Sequence, residues 1–101
     1  MFFSWEKNRE KEKIFFNKNN NDLVRELKEK GITNKNILSA IKKVPRALFV
    51  NKNYSQRAYE NIALPTECGQ TISQPYVIAY MIDCLNLKKT DKVLEVGSGT
   101  G

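Results

Sequence analysis

The fold is decided by the C-terminal stretch Lys92-Val93-Leu94-Glu95-Val96-Gly97-Ser98-Gly99-Thr100-Gly101. Residues 92–96 include two β-branched valines and a leucine and predict a strand, which runs directly into glycines at alternate positions. Glycine permits positive φ and has no Cβ to collide with a ligand lying across the end of a strand. A helix, a short apolar strand and a glycine loop in this order open doubly wound α/β domains. The spacing GxGxG differs from the GxGxxG of dinucleotide sites, and on these residues alone a nucleotide site and a plain glycine-rich turn remain alternatives.

A long apolar helix is predicted just before this stretch, joined to it by a polar turn at residues 88–91. Residues 76–85 are apolar on most faces, so we expect this helix to be buried on more than one side. Ser73 can cap its N-terminus, and Pro75 fits the first turn, where its missing N–H costs nothing. The preceding stretch 61–71 carries few charges for a loop, which indicates a site rather than a solvated connection.

A second helix lies further upstream. Thr33 is predicted to cap it, and it runs to about Val44, because Pro45 disfavours helical geometry in the residue before it. Its apolar residues recur at three- and four-residue spacing while its lysines face outward. Residues 47–50 then form an apolar turn in which we expect Leu48 and Phe49 to be buried, and residues 56–59 are a candidate helical turn.

The N-terminal part is predicted to be a polar tail followed by a first helix. Residues 1–21 are rich in Lys, Glu and Asn and low in complexity, with aromatic residues through which a loose helix can dock. Apolar residues at helical spacing predict a helix from Asp22 to Lys30. Asn21 or Asp22 can cap its start, and Gly31 supplies a left-handed stop.

The net charge of +6 is concentrated in the middle third, where residues 31–60 carry six basic residues against one acidic residue. A basic patch of this kind can attract nucleic acid. The charges fall between the apolar positions of helices, so we favour a solvated helix face. The six residues are Lys35, Lys42, Lys43, Arg46, Lys52 and Arg57.

The chain has neither a membrane-spanning pattern nor a secretory signal. Its apolar runs are shorter than the roughly 18 to 20 residues that a spanning helix needs, so a cytoplasmic location is expected. Cys68 and Cys84 occur in a chain without histidine, at a spacing that suits neither zinc nor a redox pair. We expect both to be reduced, partly buried thiols and predict no metal site.

Three blocks of sequence together resemble one family. The most distinctive is Gly69-Gln70-Thr71-Ile72-Ser73-Gln74-Pro75, which follows the run Ala58 to Pro65. The upstream segment Val44-Pro45-Arg46-Ala47-Leu48-Phe49-Val50 and the glycine stretch match further blocks at fitting spacing. From about residue 22 to residue 101 the chain is similar to the protein-L-isoaspartate O-methyltransferases, and the tail before it has no counterpart.

The resemblance implies an α/β fold in which an N-terminal helical subdomain leads into the first strand of a truncated Rossmann-like methyltransferase fold. Residues 1–21 are then the tail, 22–75 the helical subdomain with the active-site loop, and 76–101 the start of the cofactor-binding domain. The implied cofactor is S-adenosylmethionine, and the implied partners are damaged proteins or peptides that contain L-isoaspartyl residues. We expect no nucleic acid or membrane partner, and a monomer when the protein is complete.

Ser73 matches the family's active-site serine, and we expect its hydroxyl to position the substrate carboxylate rather than to attack. A purely structural role as a helix cap is the alternative. The residues implied to bind the cofactor are Thr71, Ile72, Gln74, Glu95, Gly97, Ser98, Gly99 and Gly101. Gln70 is expected to brace the loop. Thr66-Glu67-Cys68-Gly69 departs from the Ile-Gly-x-Gly of many members, and we expect Glu67 to point to solvent.

The implied chemistry is undemanding, because a carboxylate is already a nucleophile at pH 7 and alignment of the reactants supplies most of the catalysis. The acidic residue that grips the ribose is expected roughly 20 residues beyond the glycines, past Gly101. A single strand also lacks a pairing partner. We therefore expect the 101-residue chain to be inactive alone and to bind the cofactor very weakly. The alternatives are a small basic nucleic-acid-binding module and a helical interaction domain.

Overall fold

The computed structural model describes residues 19–67 and 69–101. These residues form a helix-rich α/β chain with one small antiparallel sheet. The helices are α1 over residues 19–29, α2 over Lys35–Lys43 and α3 over Pro75–Leu85, with 3₁₀ helices at Arg46–Phe49 and Lys52–Arg57. The strands are β1 at Leu64–Pro65 and β2 at Thr71–Ile72.

Helix α1 begins earlier than the apolar spacing predicts. It is already helical at residue 19, so Asn21 and Asp22 lie inside it and the prediction that either caps it is wrong. Asn20 explains the extension, because its buried Nδ2 donates to the carbonyls of Ile41 and Lys42 at 3.2 and 2.7 Å. These carbonyls lie in the last turn of α2, where backbone acceptors lack helical partners. The predicted loose helix over residues 1–18 lies outside the described residues.

Gly31 ends α1 as predicted. Its φ of +103° is left-handed, and its N–H donates to the Lys28 carbonyl at 3.0 Å. The next residue, Ile32, donates to the Leu27 carbonyl at 3.0 Å, which completes a Schellman motif. Ile32 and Leu27 are both buried, so the turn also closes an apolar contact at the helix end.

Helix α2 ends before Pro45 as predicted, but its N-cap is Asn34 and not Thr33. The Asn34 Oδ1 accepts hydrogen bonds from the backbone N–H groups of Asn36 and Ile37 at 2.9 and 3.3 Å. Those are the second and third helical residues, whose donors have no partner within the helix. Thr33 lies one residue too early for this bond. The sequence does not separate the two residues, because Thr and Asn are both favoured N-cap residues.

The hydrophobic core lies between α1, α2 and the segment that follows them. Its buried residues are Leu23, Leu27, Ile32, Ile37, Leu38, Val50, Ala58, Tyr59, Leu64 and Ala79. The prediction that Leu48 is buried is wrong, since it is 76% exposed, while Phe49 is half-buried. In the tight 3₁₀ turn, Arg46 and Val50 take the inward positions and Leu48 points outward.

Helix α3 ends at Leu85 as predicted, but it starts at Pro75, one residue later than a Ser73 cap would place it. Gln74 occupies the N-cap position without a side-chain hydrogen bond, and Asn61 Oδ1 accepts from the Tyr76 N–H at 2.9 Å. The described residues cover one face of α3, through Pro75 and Ala79. The expectation of burial on several sides is therefore wrong for this part of the chain, which leaves exposed Val77, Tyr80, Met81, Ile82 and Leu85.

The strand predicted at residues 92–96 does not form. Leu94 and Val96 are each 88% exposed, and no described residue pairs with this segment. A strand needs a neighbour for its backbone N–H and C=O groups, and β1 and β2 pair only with each other. The polar turn before it does form, with the Lys88 N–H donating to Asp91 Oδ2 at 2.7 Å. None of the helices in the described ranges is long and apolar enough to cross a membrane.

Candidate functional site

The distinctive Gly-Gln-Thr-Ile-Ser run folds as the second arm of a short hairpin. Leu64 pairs with Ile72 and Pro65 with Thr71 in antiparallel register. Thr66 closes the loop, since its N–H and its Oγ1 both donate to the Gln70 carbonyl, at 2.8 and 3.1 Å. Gln70 thus contributes its backbone to the loop. Between the two, Cys68 lies outside the described residues.

The hairpin faces the glycine loop across a cavity of about 410 Å³. Six of the nine residues predicted for the site line it, although they come from segments about 30 positions apart in the sequence. They are Thr71, Ile72, Gly97, Ser98, Gly99 and Gly101, and the other lining residues are Thr66, Gln70, Ile78 and Thr100. The structure therefore brings the two most informative motifs together around one space.

The glycines of the loop adopt conformations that other residues rarely do. Gly97, Gly99 and Gly101 have φ of +78°, +60° and +119°. A Cβ on Gly97 or Gly99 would meet nothing within 4 Å, so only the backbone conformation requires glycine at those two positions. A Cβ on Gly101 would lie 3.1 Å from Cε1 of Phe49, so the loop also packs tightly against this ring.

Three predicted site residues do not line this cavity. Ser73 follows β2 directly and is exposed, with its backbone carbonyl engaged by Arg46. Gln74 is half-buried at the start of α3, and Glu95 is exposed in the extended segment before the glycines. Ser73 and Gln74 adjoin the cavity through Ile72, whereas Glu95 adjoins it through the glycine loop.

Arg46 is the functional candidate that sequence reasoning missed, since it was grouped with the solvated basic residues. It is only 9% exposed, and its Nη2 donates to the carbonyls of Ile62 and Ser73 at 3.1 and 2.9 Å. Desolvation by burial lowers the pKa of Arg46 to about 10, which leaves it cationic at neutral pH. The sequence held one signal for this role of Arg46: it belongs to the Val-Pro-Arg block that matches the family, which separates it from the other basic residues.

Thr66, Ile78 and Thr100 were also missed. Ile78 belongs to an apolar helix and carries no signal that separates a cavity wall from a core position. The Thr100 Oγ1 donates to the Phe49 carbonyl at 3.1 Å, 51 residues away in sequence. Contacts of this range depend on the tertiary fold and leave no trace in the spacing of the motif.

The remaining candidates are surface features. Glu67 is exposed as expected, and its Oε1 accepts from the Lys52 N–H at 3.3 Å. Arg57 pairs with Glu60 at 2.8 Å, so the basic patch loses one member to an ion pair and another, Arg46, to burial. Cys84 is a free, exposed thiol, which corrects the expectation that it is partly buried.

The structure thus places a short hairpin and a glycine loop with left-handed φ around one cavity. Residues 17–101 match the sequence model of the family described as Protein-L-isoaspartate(D-aspartate) O-methyltransferase. Because this match covers most of the chain, the chain belongs to that methyltransferase family.

Individual relatives agree with the family match. The chain is 56% identical over 81 residues to Protein-L-isoaspartate O-methyltransferase from Flavobacterium psychrophilum, which covers 80% of this chain and 38% of that protein. The proteins of the same name from Parvibaculum lavamentivorans and Proteus mirabilis are 50% and 52% identical over 80 residues, or 79% of this chain and 36% and 38% of theirs. The chain thus spans well under half the length of these relatives.

Proposed function

We propose that this chain forms the N-terminal part of a methyltransferase that moves a methyl group from S-adenosylmethionine to the α-carboxyl group of L-isoaspartyl residues in damaged proteins. Family membership supports the reaction class. The observation that carries the proposal is a cavity between the glycine loop and β2, the strand that leads directly into Ser73, because it places the cofactor segment next to the acceptor segment.

The residues of the cavity suit the cofactor. A loop whose glycines have positive φ exposes backbone N–H and C=O groups without side chains in the way. We assign cofactor binding to Thr71, Ile72, Gly97, Ser98, Gly99 and Gly101, with Gln74 and Glu95 in supporting positions beside them. When bound, S-adenosylmethionine supplies a methyl group already activated by its sulfonium. The protein therefore needs to hold and orient the reactants rather than to activate them.

On the acceptor side we assign Ser73 the positioning of the substrate carboxylate. Arg46 holds the backbone carbonyl of Ser73 through a hydrogen bond, while Ser73 itself is exposed to solvent. This arrangement suits a hydroxyl that binds the carboxylate of an incoming substrate. A carboxylate is ionised at neutral pH and is itself the nucleophile. Histidine is absent from the chain, and this mechanism has no step for which a general base is needed.

We further propose that residues 76–101 begin a Rossmann-like domain, in which residues 92–96 become a strand once they have a pairing partner. Residues 22–75 then form the helical subdomain and active-site loop. The exposed thiol of Cys84 suits a reducing cytoplasm. The nucleic-acid alternative loses support, because burial of Arg46 and the Arg57–Glu60 pair weaken the basic patch that motivated it.

The test uses a chimera in which this chain replaces the matched segment of the F. psychrophilum relative, hereafter the chimera. We expect it to transfer labelled methyl to an isoaspartyl peptide and not to the same peptide with ordinary aspartate. Ser73→Ala should lower kcat/KM about 10- to 100-fold, since it removes a hydrogen bond to a charged group. Ser39→Ala, at an exposed position on α2, is the matched control.

The same experiment includes the 101-residue chain alone. Calorimetric titration with S-adenosylmethionine should show no micromolar binding to it, in contrast to the chimera, because residues 92–96 lack a pairing partner. Micromolar binding by the chain alone would contradict this expectation. A chimera that ignores the isoaspartyl peptide would contradict the proposed reaction.

A further inference from the structure

One short turn contacts both the segment that adjoins the hairpin wall of the cavity and the glycine loop that forms the opposite wall. The 3₁₀ helix Arg46–Phe49, hereafter the bracing turn, lies between the core and the site. Its first residue bonds to the Ser73 segment and its last residue bonds to the glycine loop. These two contacts are independent of each other, since one uses a side chain and the other a backbone carbonyl.

The Arg46 side chain fixes the open end of the hairpin. Ile62 precedes β1 and Ser73 follows β2, so the two carbonyls that Arg46 Nη2 contacts belong to opposite arms. A single nitrogen therefore holds both arms at the point where the chain leaves the hairpin. The adjoining Asn61 bonds the Tyr76 N–H, which also ties the same end to the start of α3.

Burial of this arginine is hard to explain by stability alone. In the described ranges, the ion pairs join Arg25 to Asp22 and Arg57 to Glu60, so the Arg46 charge faces neutral carbonyls, and its Nε has no hydrogen-bond partner there. A buried charge without a counter-ion costs free energy that an apolar side chain of similar size would avoid. What the arginine contributes against this cost is two hydrogen bonds that fix the positions of Ser73 and Ile62.

The other end of the bracing turn holds the glycine loop. The Phe49 carbonyl accepts the Thr100 hydroxyl at 3.1 Å, and its ring lies so close to Gly101 that a Cβ there would sit 3.1 Å from Cε1. The position of the loop is thus set from the same four residues that set the position of Ser73.

We infer that the bracing turn fixes the distance between the methyl acceptor and the cofactor, with Arg46 as a positioning residue on the acceptor side and the Thr100–Phe49 bond as its counterpart on the cofactor side. This inference rests on the proposed function, because it takes the roles of the two walls from there. It predicts that the two contacts affect different substrates.

The kinetic test compares variants of the chimera. Arg46→Met should raise the KM of the isoaspartyl peptide and lower kcat, so that kcat/KM falls about tenfold. The KM of S-adenosylmethionine should change little. Arg46→Lys, which keeps donors and charge, should recover part of this loss. Thr100→Val should raise the KM of the cofactor about fivefold and leave the KM of the peptide unchanged. Arg57→Met, at an exposed arginine, is the control.

A second measurement does not depend on activity. Hydrogen exchange of residues 69–76 in the chimera should be faster in Arg46→Met than in the wild type, and unchanged in Arg57→Met. Equal exchange in Arg46→Met and the wild type, or a lower melting temperature with both KM values unchanged, would overturn the inference. If the unsubstituted chimera is inactive but its Arg46→Met variant still exchanges faster, the proposed reaction is refuted and the positioning role of Arg46 is retained.

Discussion

The described chain divides into a region that covers its own apolar surface and a region that does not. Residues 23–64 supply every member of the buried core except Ala79. The exposed large apolar residues, apart from Val44 and Leu48, all lie between residues 77 and 96. The second region is the richer of the two in apolar residues, so its exposure does not come from a polar composition. It comes from the lack of described residues that pack against it.

This difference follows from how helices and strands satisfy their backbones. A helix bonds within itself, so α1 and α2 need only each other and the following turn to bury their apolar faces. The segment 92–96 has a strand's composition but needs a neighbouring strand, and its relatives extend far beyond the matched length. The second region thus leaves its apolar surface uncovered among the described residues, and three measurements test the difference between the two regions.

The largest effect is expected from truncating one leucine in each region. Leu27 is fully buried and Leu94 is 88% exposed. In the 101-residue chain, Leu27→Ala should lower the free energy of unfolding by about 2–5 kcal/mol, whereas Leu94→Ala should change it by less than about 0.5 kcal/mol. In the chimera, Leu94→Ala should become destabilising as well. Urea unfolding followed by circular dichroism measures both.

The comparison would fail if Leu94→Ala cost the 101-residue chain as much as Leu27→Ala does. That result would mean that residues 92–96 find a buried place within the chain itself. An unchanged stability of the chimera on Leu94→Ala would instead remove the proposed role of this segment as a strand.

A smaller effect is expected at two glycines with left-handed φ, one at a helix end and one in the glycine loop. Gly31 and Gly97 both have left-handed φ, and a Cβ would meet nothing within 4 Å at either. Alanine should therefore cost about 1–2 kcal/mol of backbone strain at each. At Gly31, which ends α1, this should appear as lost stability. At Gly97 it should appear in the chimera as an affinity for S-adenosylmethionine lower by about 5- to 30-fold.

Unfolding curves and calorimetric titrations of both variants separate the two readouts. Loss of stability in the 101-residue chain on Gly97→Ala, equal to that of Gly31→Ala, would show that the glycine loop is part of the folded core. Unchanged cofactor affinity on Gly97→Ala would remove the loop from the proposed cofactor site.

The sequence predicted what local patterns determine. The core faces of α1 and α2, the Gly31 stop and the span of α3 all follow from spacing and from the conformational preferences of Gly and Pro. The resemblance selected nine site residues, of which six share one cavity, and their roles stay predictions. The helix faces, the Gly31 stop and the span of α3 concern residues whose neighbours in sequence are also their neighbours in space, whereas the two segments around the cavity were joined only by the resemblance.

The misses share a physical cause, which is dependence on distant partners. Arg46 is buried because carbonyls 16 and 27 positions away accept its hydrogen bonds, and no local pattern announces them. Leu48 is exposed because, in and just after the 3₁₀ turn, Arg46 and Val50 occupy the buried positions. Residues 92–96 have the composition of a strand, but composition does not supply the neighbour that a strand requires.

The smallest effect concerns the start of α2, where two adjacent residues are both plausible caps by type. Asn34→Ala should destabilise the 101-residue chain by about 1 kcal/mol, because it removes the acceptor for the N–H groups of Asn36 and Ile37. Thr33→Ala is the matched control and should leave the unfolding midpoint unchanged, since α2 takes its capping bonds from Asn34. The reverse order of the two midpoints would place the cap at Thr33. An equal loss in both would mean that the helix start shifts between them, and the first region would then be less fixed than its buried core indicates.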